Sequence, residues 1–388
     1  MSQYRNRRQA SSGSPQNSRN NARLQAQRRR RRRKKRQLRI LYTLCILILV
    51  AIAGLVFWKT RDGSSKNIPE NSADIQSEDN GSGIQKTTPS PTPTPTPVPV
   101  TLSITGDDLY SHYAVLIRRS TGEKIFDLRS EEKMFPASMT KMMTALVAYE
   151  QLSDLQTKIT LNPDMFDKLT EEGASMAGFS AGEEVTALDL LYGVLLPSGA
   201  ECCIGLAEYI AGDEESFVEL MNQKATELGM NHTHFCNPTG LHDENHYTTV
   251  SDMAILLEAL LEKEELRQIM STTSHTSAPT NLHPEGLTYP SSMFEDMPAD
   301  ALASGLILGG KTGYTQEAGQ CLASFGKADG EEYILVTGKT PGNPETEPYH
   351  IIDAYRCYSS ITVGDSPTPA AEEDTLSSPT PSPESAAF

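Results

Sequence analysis

Four stretches in the middle of the chain repeat apolar residues at the i, i+3 and i+4 spacing of an amphipathic helix. These stretches are 188–196, 203–211, 216–228 and 251–261. Apolar, β-prone runs lie on both sides of them, at 113–117 and 124–128 before and at 320–325 and 333–337 after. Strands at both ends with helices between them predict an antiparallel sheet assembled from the N- and C-terminal parts, with an inserted helical region. The predicted fold class is α+β.

Turn signals support two hairpins in this pattern. Residues 120–123, Ser-Thr-Gly-Glu, separate the first two apolar runs, and Asp329-Gly330 lies between the last two. Asp-Gly is a strong hairpin signal because its residues accept the positive φ angles of a tight turn. A further helical pattern at 349–361 is predicted to close the domain.

The N-terminal part follows a different pattern. Residues 40–58 form an uncharged apolar run of 19 residues, which as a helix would span close to the ~30 Å of a bilayer core. The preceding residues, 1–39, contain fifteen Lys or Arg and no acidic residue. Positive flanks stay on the cytoplasmic side, so we predict a basic cytoplasmic tail, a single transmembrane helix and an extracellular remainder. A cleaved signal peptide is the competing interpretation, but the apolar run continues beyond Ala53, where cleavage would fall.

Composition divides the rest of the chain. Residues 59–100 lack apolar periodicity and include alternating Pro and Thr, which predicts a semi-rigid linker. Residues 364–388 are rich in Pro, Ser, Thr and acid, which predicts a disordered tail. Residues 101–363 remain as the folded, catalytic domain. The net charge of the chain is −16 although its N-terminal tail, residues 1–39, is strongly basic. Such a run of basic residues can bind nucleic acid. Because the apolar run follows it directly, a role in membrane topology is favoured here, and no nucleic-acid partner is predicted.

The strongest chemical signal is Ser138 followed by Lys141 in Pro-Ala-Ser-Met-Thr-Lys-Met, at the start of an apolar helical pattern. This spacing places a hydroxyl and an amine about one helical turn apart. Serine needs a base within hydrogen-bond reach to become a nucleophile, and a desolvated lysine can be neutral enough to serve. Two further motifs follow in order: Ser198-Gly199-Ala200 begins 60 positions later, and Lys311-Thr312-Gly313 begins 113 positions after that.

This ordered set resembles the S-x-x-K, S-x-N and K-T-G signature of class A β-lactamases and penicillin-binding proteins. With the sequence around each motif, including Leu-Leu-Pro before Ser198 and Tyr314-Thr315 after the third motif, residues 103–363 are similar to serine-type D-alanyl-D-alanine carboxypeptidases, the low-molecular-mass penicillin-binding proteins. The resemblance implies a β-lactamase/transpeptidase-like fold. It also implies a hydrolase that acts on peptidoglycan stem peptides ending in D-Ala-D-Ala and that β-lactams inhibit.

The resemblance also implies a role for each motif residue. Ser138 would attack the carbonyl of the penultimate D-alanine, Lys141 would accept the serine proton, and Ser198 would pass it to the departing amine. Lys311 would raise the local positive potential, and Thr312 would hydrogen-bond the substrate's terminal carboxylate. The oxyanion hole would comprise the backbone amides of Ser138 and Tyr314, and Gly313 completes the predicted substrate-binding set.

One position departs from the family pattern. The second motif usually ends in Asn, and this chain has Ala200; whether Glu201 or a water replaces the missing amide stays open. Two other functions remain as alternatives, a β-lactamase and a non-catalytic sensor of β-lactams or wall fragments. The β-lactamase would need a general base for its deacylating water, and no E-x-x-L-N pattern lies between the second and third motifs.

The resemblance implies no cofactor. His242 and His246 are spaced as zinc ligands on a helix would be, but they follow Pro-Thr-Gly, which indicates a loop, so no metal site is predicted. Residues 274–300 fit the family poorly, and we interpret them as a loop that flanks the site.

Overall fold

The central sheet is built from both ends of the chain, as the sequence predicts. The structure is a computed structural model, and it describes residues 99–364. The tail, the transmembrane helix, most of the linker and most of the C-terminal tail predicted at 1–39, 40–58, 59–100 and 364–388 lie outside the described residues. Between residues 99 and 364, no helix is both long and apolar enough to cross a bilayer.

Eleven strands and ten α-helices are present in residues 99–364. The strands are β1 (Val100–Leu102), β2 (Tyr113–Arg118), β3 (Glu123–Leu128), β4 (Lys158–Thr160), β5 (Glu184–Thr186), β6 (Ser274–Thr276), β7 (Thr288–Pro290), β8 (Ile307–Thr315), β9 (Gly319–Ala328), β10 (Glu331–Thr340) and β11 (Ile361–Val363). The helices are α1 (Lys141–Gln151), α2 (Asp164–Glu171), α3 (Ala187–Leu195), α4 (Ala200–Ala211), α5 (Glu214–Glu227), α6 (Val250–Leu261), α7 (Glu264–Met270), α8 (Ser292–Asp296), α9 (Ala299–Ser304) and α10 (Tyr349–Ser359).

Five antiparallel strands form the main sheet, in the order β3-β2-β10-β9-β8. The pairing of β2 with β10 joins the N-terminal hairpin to the C-terminal strands. Three two-stranded sheets, β1-β11, β4-β5 and β6-β7, lie outside it. The prediction of an α+β domain whose sheet is assembled from the two ends of the chain is confirmed.

Other elements cover both faces of the main sheet, and the central strand β10 is therefore buried on both sides. Ile334 and Val336 point into the larger apolar core with the helical region. Tyr333 and Leu335, which alternate with them, point to the other face and pack with Ile351 of α10. This period-two alternation is the ordinary geometry of a strand, and it explains why an uninterrupted apolar run forms a central strand here.

Helix α1 lies at the centre of the helical region. It contacts α3, α4, α5 and α6, and Met142, Met143 and Leu146 on it are buried. Burying side chains of this size contributes about 1.5–3 kcal/mol each. The helix that begins at Lys141 is therefore fixed by the core on several sides.

Three helix starts are set by local capping. The side chains of Thr186, Asp213 and Thr249 accept hydrogen bonds from backbone N–H groups three residues later, at the starts of α3, α5 and α6. Such caps satisfy N–H groups that the helix itself leaves unpaired. This explains why the predicted and observed helices agree to within one or two residues at these points.

Some predicted boundaries are wrong. The helix predicted at 203–211 begins at Ala200, and the helix predicted at 349–361 ends at Ser359. Ile361 starts β11 instead, where its partner is Leu102 of β1. An apolar residue that continues a helical pattern therefore joins a strand, because pairing with the other end of the domain satisfies its backbone.

Candidate active site

A short 3-10 turn, Ala137–Thr140, carries Ser138 and leads directly into α1, whose first residue is Lys141. Lys141 Nζ donates a hydrogen bond to Ser138 Oγ at 3.1 Å and another to the carbonyl oxygen of Thr239 at 2.5 Å. Lys141 is buried, and burial lowers its pKa because the ammonium loses solvation. The predicted pairing of the two side chains is present in the geometry that base activation of a serine requires.

The loop formed by residues 237–241 supports this turn. Ala137 has a φ angle of 47°, a conformation that costs a non-glycine residue about 1–2 kcal/mol. Its carbonyl lies against Gly240, where a Cβ atom would come within 2.0 Å of Ala137 O, so only glycine fits. Asn237 Oδ1 accepts hydrogen bonds from Thr239 N and Gly240 N, and it thereby fixes the carbonyl that Lys141 contacts.

The supporting role of the 237–241 loop could not be predicted from the sequence. The Asn-Pro-Thr-Gly sequence identified a turn, but nothing in it indicated contact with the nucleophile about a hundred residues earlier. Thr144, one turn into α1, adds a hydrogen bond from its hydroxyl to Pro238 O at 2.6 Å.

The third motif lies on β8, at the edge of the main sheet and ahead of the strands predicted from the runs at 320–325 and 333–337. Lys311 is buried and donates to its neighbour's carbonyl, Thr312 O, at 3.0 Å. Burial and the nearby charge of Lys141 lower the pKa of Lys311 to about 7. The two lysines therefore disfavour each other's charge.

Gly313 explains how β8 comes so close to the nucleophile. A Cβ atom at this position would lie 3.0 Å from Pro136 O and 3.1 Å from Ser138 N. The backbone of the third motif thus runs beside the amide of Ser138, the region in which the predicted oxyanion hole would lie. Tyr314, the next residue, lines the same cleft as Ser138.

Ser198 lies at the junction between α3 and α4 and also lines this cleft. Its φ angle is 68°, so the backbone is strained at this residue as well. Its Oγ atom is buried and has no hydrogen-bond partner among residues 99–364. A buried hydroxyl without a partner is costly, and this position is consistent with a group that acquires its partner from a bound substrate.

Glu201 does not take the place of the asparagine amide that the second motif usually carries. Its Oε1 accepts a hydrogen bond from Gly178 N at 2.8 Å, so it ties α4 to the 175–178 loop. Its Oε2 is buried with no hydrogen-bond partner in the described chain, and burial raises the pKa of this carboxyl. Ala200, also buried, donates its N–H to Ser175 O at 2.8 Å. Neither Ala200 nor Glu201 lines the cleft.

The segment 274–300 flanks the site, as predicted, but the prediction of a loop is wrong, because much of the segment forms regular elements. It forms β6, β7 and α8 and the start of α9. Ser292 and Asp296, one helical turn apart on α8, line the cleft, and Ser292 Oγ lies 3.0 Å from Thr312 Oγ1. This contact could not be predicted from the sequence, because a lone Ser-Ser pair in an aperiodic segment carries no functional pattern.

The cleft is closed on another side by the loop after β10. Gln320 donates to Asn343 O and Glu347 O and accepts from His350 Nδ1 at 2.8 Å. Gln320, Asn343 and His350 line the cleft. Burial lowers the pKa of His350 to about 4, so its imidazole is neutral near pH 7 and serves here as a hydrogen-bonding group of the wall.

The two histidines considered as zinc ligands point to different neighbours. His246 is buried, with Nε2 2.8 Å from Thr140 Oγ1, and its pKa is lowered by burial to about 4. His242 packs edge-on against Phe135 with ring centroids 4.7 Å apart. The residues between them form a loop. His246 thus supports the turn that holds the nucleophile.

The assembled site has the parts that acyl transfer to a serine needs. These are a nucleophile with its base, a buried hydroxyl opposite, and a strand edge with a lysine and a threonine. The structure brings Ser138, Ser198, Thr312, Gly313 and Tyr314 to one cleft. Lys141 and Lys311 lie directly behind the cleft. Lys141 donates a hydrogen bond to Ser138 Oγ, and Lys311 precedes Thr312 and donates to its carbonyl oxygen.

Residues 100–340 match the Peptidase S11 family model, D-alanyl-D-alanine carboxypeptidase. The chain is 36% identical over 248 residues to D-alanyl-D-alanine carboxypeptidase DacF of Bacillus subtilis (strain 168), covering 62% of this chain and 60% of that protein. It is 35% identical over 153 residues to D-alanyl-D-alanine carboxypeptidase DacC of Escherichia coli (strain K12), covering 38% of each. The chain therefore spans less than two thirds of the length of these curated relatives.

Solved structures show the same fold. The Streptomyces K15 DD-transpeptidase superposes with a TM-score of 0.59 at 25% sequence identity, covering 66% of this chain and 98% of that chain. Penicillin binding protein 5 from Haemophilus influenzae superposes with a TM-score of 0.57 at 25% identity, covering 66% of this chain and 71% of that chain. These likenesses confirm the β-lactamase/transpeptidase-like fold that the sequence predicts.

Proposed function

The chain belongs to the D-alanyl-D-alanine carboxypeptidase family, and we propose on that basis that it removes the terminal D-alanine from peptidoglycan stem peptides. The observation that carries the proposal is the contact between Lys141 Nζ and Ser138 Oγ at 3.1 Å inside a cleft that also holds Ser198 and Thr312. β-Lactams would bind the same serine as inhibitors.

The reaction proceeds through an acyl-enzyme. Ser138 Oγ attacks the carbonyl carbon of the penultimate D-alanine while Lys141 takes the hydroxyl proton. Ser198 passes a proton to the departing amine, the peptide C–N bond breaks, and D-alanine leaves. A water then attacks the Ser138 ester, and its cleavage returns the proton to the serine and releases the shortened peptide.

Charge and hydrogen bonding fix the orientation of the substrate. The terminal carboxylate binds at Thr312, and its negative charge favours the ammonium form of Lys311 behind the strand. The backbone amides of Ser138 and Tyr314 stabilise the oxyanion, a contribution of about 2.7–4 kcal/mol for a single donor in related chemistry. Gly313 allows the two backbones to approach.

Two alternatives make different predictions. A β-lactamase would need a carboxylate base at the deacylating water, typically a glutamate. In the described part of the chain the cleft lining includes one carboxylate, Asp296, and no glutamate. A non-catalytic sensor would form the acyl-enzyme without turnover. The buried, hydrogen-bonded Lys141 favours the carboxypeptidase, because it supplies a base for both acylation and deacylation.

We further propose that the enzyme is anchored in the cell membrane by residues 40–58, with the N-terminal tail in the cytoplasm and the catalytic domain on the wall side. The support is the sequence pattern of a basic block followed by an uncharged apolar run. Membrane fractions of cells that express the full chain should retain the protein after alkaline carbonate washing. Externally added protease should digest the catalytic domain of intact spheroplasts and spare the tail.

The activity can be tested with the full chain in detergent. Incubation with a peptide ending in D-Ala-D-Ala should release one equivalent of D-alanine, and a penicillin should form an adduct that maps to Ser138 by mass spectrometry. Rapid penicillin hydrolysis without D-alanine release would indicate a β-lactamase. A stable adduct without D-alanine release would indicate the sensor.

A further inference from the structure

Ser292 joins the two motifs that face each other across the cleft. Its backbone N–H donates to Leu196 O at 3.0 Å, two residues before Ser198. Its Oγ lies 3.0 Å from Thr312 Oγ1, on the third motif. A single residue thus contacts both the segment that carries Ser198 and the strand that carries Thr312.

The core holds Ser292 in this position through its neighbour. Met293, the next residue of α8, is buried. A Cβ atom on Gly310 would lie 2.9 Å from the Met293 sulfur, so α8 packs closely on β8 just before the third motif. With Met293 in the core, Ser292 is left at the cleft surface.

The direction of the hydroxyl contact matters for substrate binding. A threonine hydroxyl has one hydrogen to donate and lone pairs to accept with. If Thr312 donates that hydrogen to a carboxylate, the contact with Ser292 must run from Ser292 Oγ–H to Thr312 Oγ1. A chain of hydrogen bonds in the same direction polarises each member and strengthens the last one.

We infer that Ser292 is a positioning residue that orients the Thr312 hydroxyl toward the terminal carboxylate of the substrate. This inference rests on the proposed function, because it takes the substrate to be a peptide with a free C-terminal carboxylate. It adds to that function a residue that determines preference for the free acid over a blocked C terminus.

The test compares two substrates that differ only at the C terminus: a peptide ending in D-Ala-D-Ala and the same peptide as its C-terminal amide. In the full chain, Ser292→Ala should lower kcat/KM for the free acid about five- to tenfold, the effect of one hydrogen bond. The loss should appear in KM with kcat little changed. For the amide, kcat/KM should fall less than about twofold, because no carboxylate is present to receive the oriented hydrogen bond.

Three further variants separate positioning from folding. Ser292→Thr keeps the hydroxyl and should restore most of the activity on the acid. Ser291→Ala removes the hydroxyl of the preceding serine, which lies outside the cleft lining, and should leave both substrates unaffected. In a Thr312→Val background, which already lacks the acceptor, Ser292→Ala should have no further effect, since the two changes act on one interaction.

Equal losses on acid and amide would overturn the inference, and so would no loss on either, or additive losses in the double variant. If the wild-type chain itself released no D-alanine from the acid and formed no penicillin adduct, the proposed function would fail instead. An active wild type with an unaffected Ser292→Ala variant would reject only the role of Ser292.

Discussion

The two walls of the cleft are built differently. On the nucleophile wall, residues 137–141 and 311–314, the chemical side chains already have partners: Ser138 contacts Lys141, Lys311 contacts Thr312 O, and Thr312 contacts Ser292. On the Ser198 wall, which Pro197 and Ser198 line, the Oγ of Ser198 is buried with no hydrogen-bond partner in the described chain. Glu201 lies behind this wall, and its Oε2 is also buried without a partner there.

This difference separates groups that are organised in advance from the Ser198 hydroxyl, which lines the cleft without a protein partner in the described chain. A nucleophile and its base gain from being fixed before the substrate arrives. A buried hydroxyl without a partner costs about 1–3 kcal/mol, which a substrate atom that bonds to it can recover. The charges differ as well, because the nucleophile wall buries an amine in Lys311 and the Ser198 wall buries a carboxyl in Glu201.

The largest expected effect is on the nucleophile wall. Ser138→Ala should reduce kcat about 10⁴-fold or more, since a catalytic unit that loses its nucleophile keeps only binding and oxyanion stabilisation. D-alanine release and penicillin adduct formation should both disappear, while circular dichroism stays unchanged. Persistent D-alanine release would exclude the serine mechanism.

On the Ser198 wall, loss of the proton relay should have a smaller effect. Ser198→Gly removes the hydroxyl and also suits the φ angle of 68°. We expect a fall in kcat of about 10²–10³-fold, typical of a general acid-base group, measured by D-alanine release. Ser198→Ala should fall equally; if only the alanine variant loses activity, backbone strain and not the hydroxyl is responsible.

The dependence of the free energy of unfolding on pH distinguishes the two buried ionisable groups, Lys311 and Glu201. The pKa of Lys311 is lowered to about 7 in the fold from 10.5, so the unfolded chain binds more protons between these values and wild-type stability rises with pH across that window. Lys311→Met should be more stable than wild type by about 2–4 kcal/mol at pH 7, with the advantage shrinking toward pH 10 in urea titrations. Lys339→Met, an exposed position on β10, should show no such trend.

Glu201 should show the opposite slope. Burial raises the pKa of its carboxyl above the ordinary 4.5, so wild-type stability declines as pH rises above that value. Glu201→Gln keeps an acceptor for Gly178 N and should be more stable than wild type by about 1–2 kcal/mol at pH 7.5, with little difference at pH 4.5. Glu215→Gln, exposed on α5, is the matched control. An equal difference at both pH values would contradict this assignment.

The smallest expected effect concerns the alanine in the second motif. Ala200→Asn should raise kcat/KM for the D-Ala-D-Ala peptide about three- to tenfold if the family's usual amide is what this wall lacks. Ala200→Leu has nearly the same shape without the amide and should give no gain. Unchanged turnover in the asparagine variant would mean that another group already fills the role.

Much of the fold could be predicted, because the strands and long helices of the core have clear periodicity. The hairpins at 113–128 and 320–337 and the four central helices were all located from it. β8 lacks that signal, since Gly309, Gly310 and Gly313 interrupt its alternation. Those glycines are there for contacts with other elements, which local periodicity does not record.

The site divides in the same way. Ser138, Lys141, Ser198 and Lys311 were identified because their spacing and neighbours form a motif. Ser292 and Asn237 were not, because each acts on a partner distant in the fold: Ser292 on Thr312, and Asn237 on the carbonyl that holds Lys141. A single serine or asparagine outside a motif does not indicate which distant residue it contacts in the fold.

The sequence by itself determined that Ser138 and Lys141 are in contact, because their three-residue spacing places both side chains on one turn. It also determined that the sheet is shared between the two ends of the domain. Only the tertiary structure decided which hydroxyls have partners, where Glu201 points and how the pKa of Lys311 is lowered. These properties depend on burial and on contacts between residues far apart in the chain, and local sequence does not specify them.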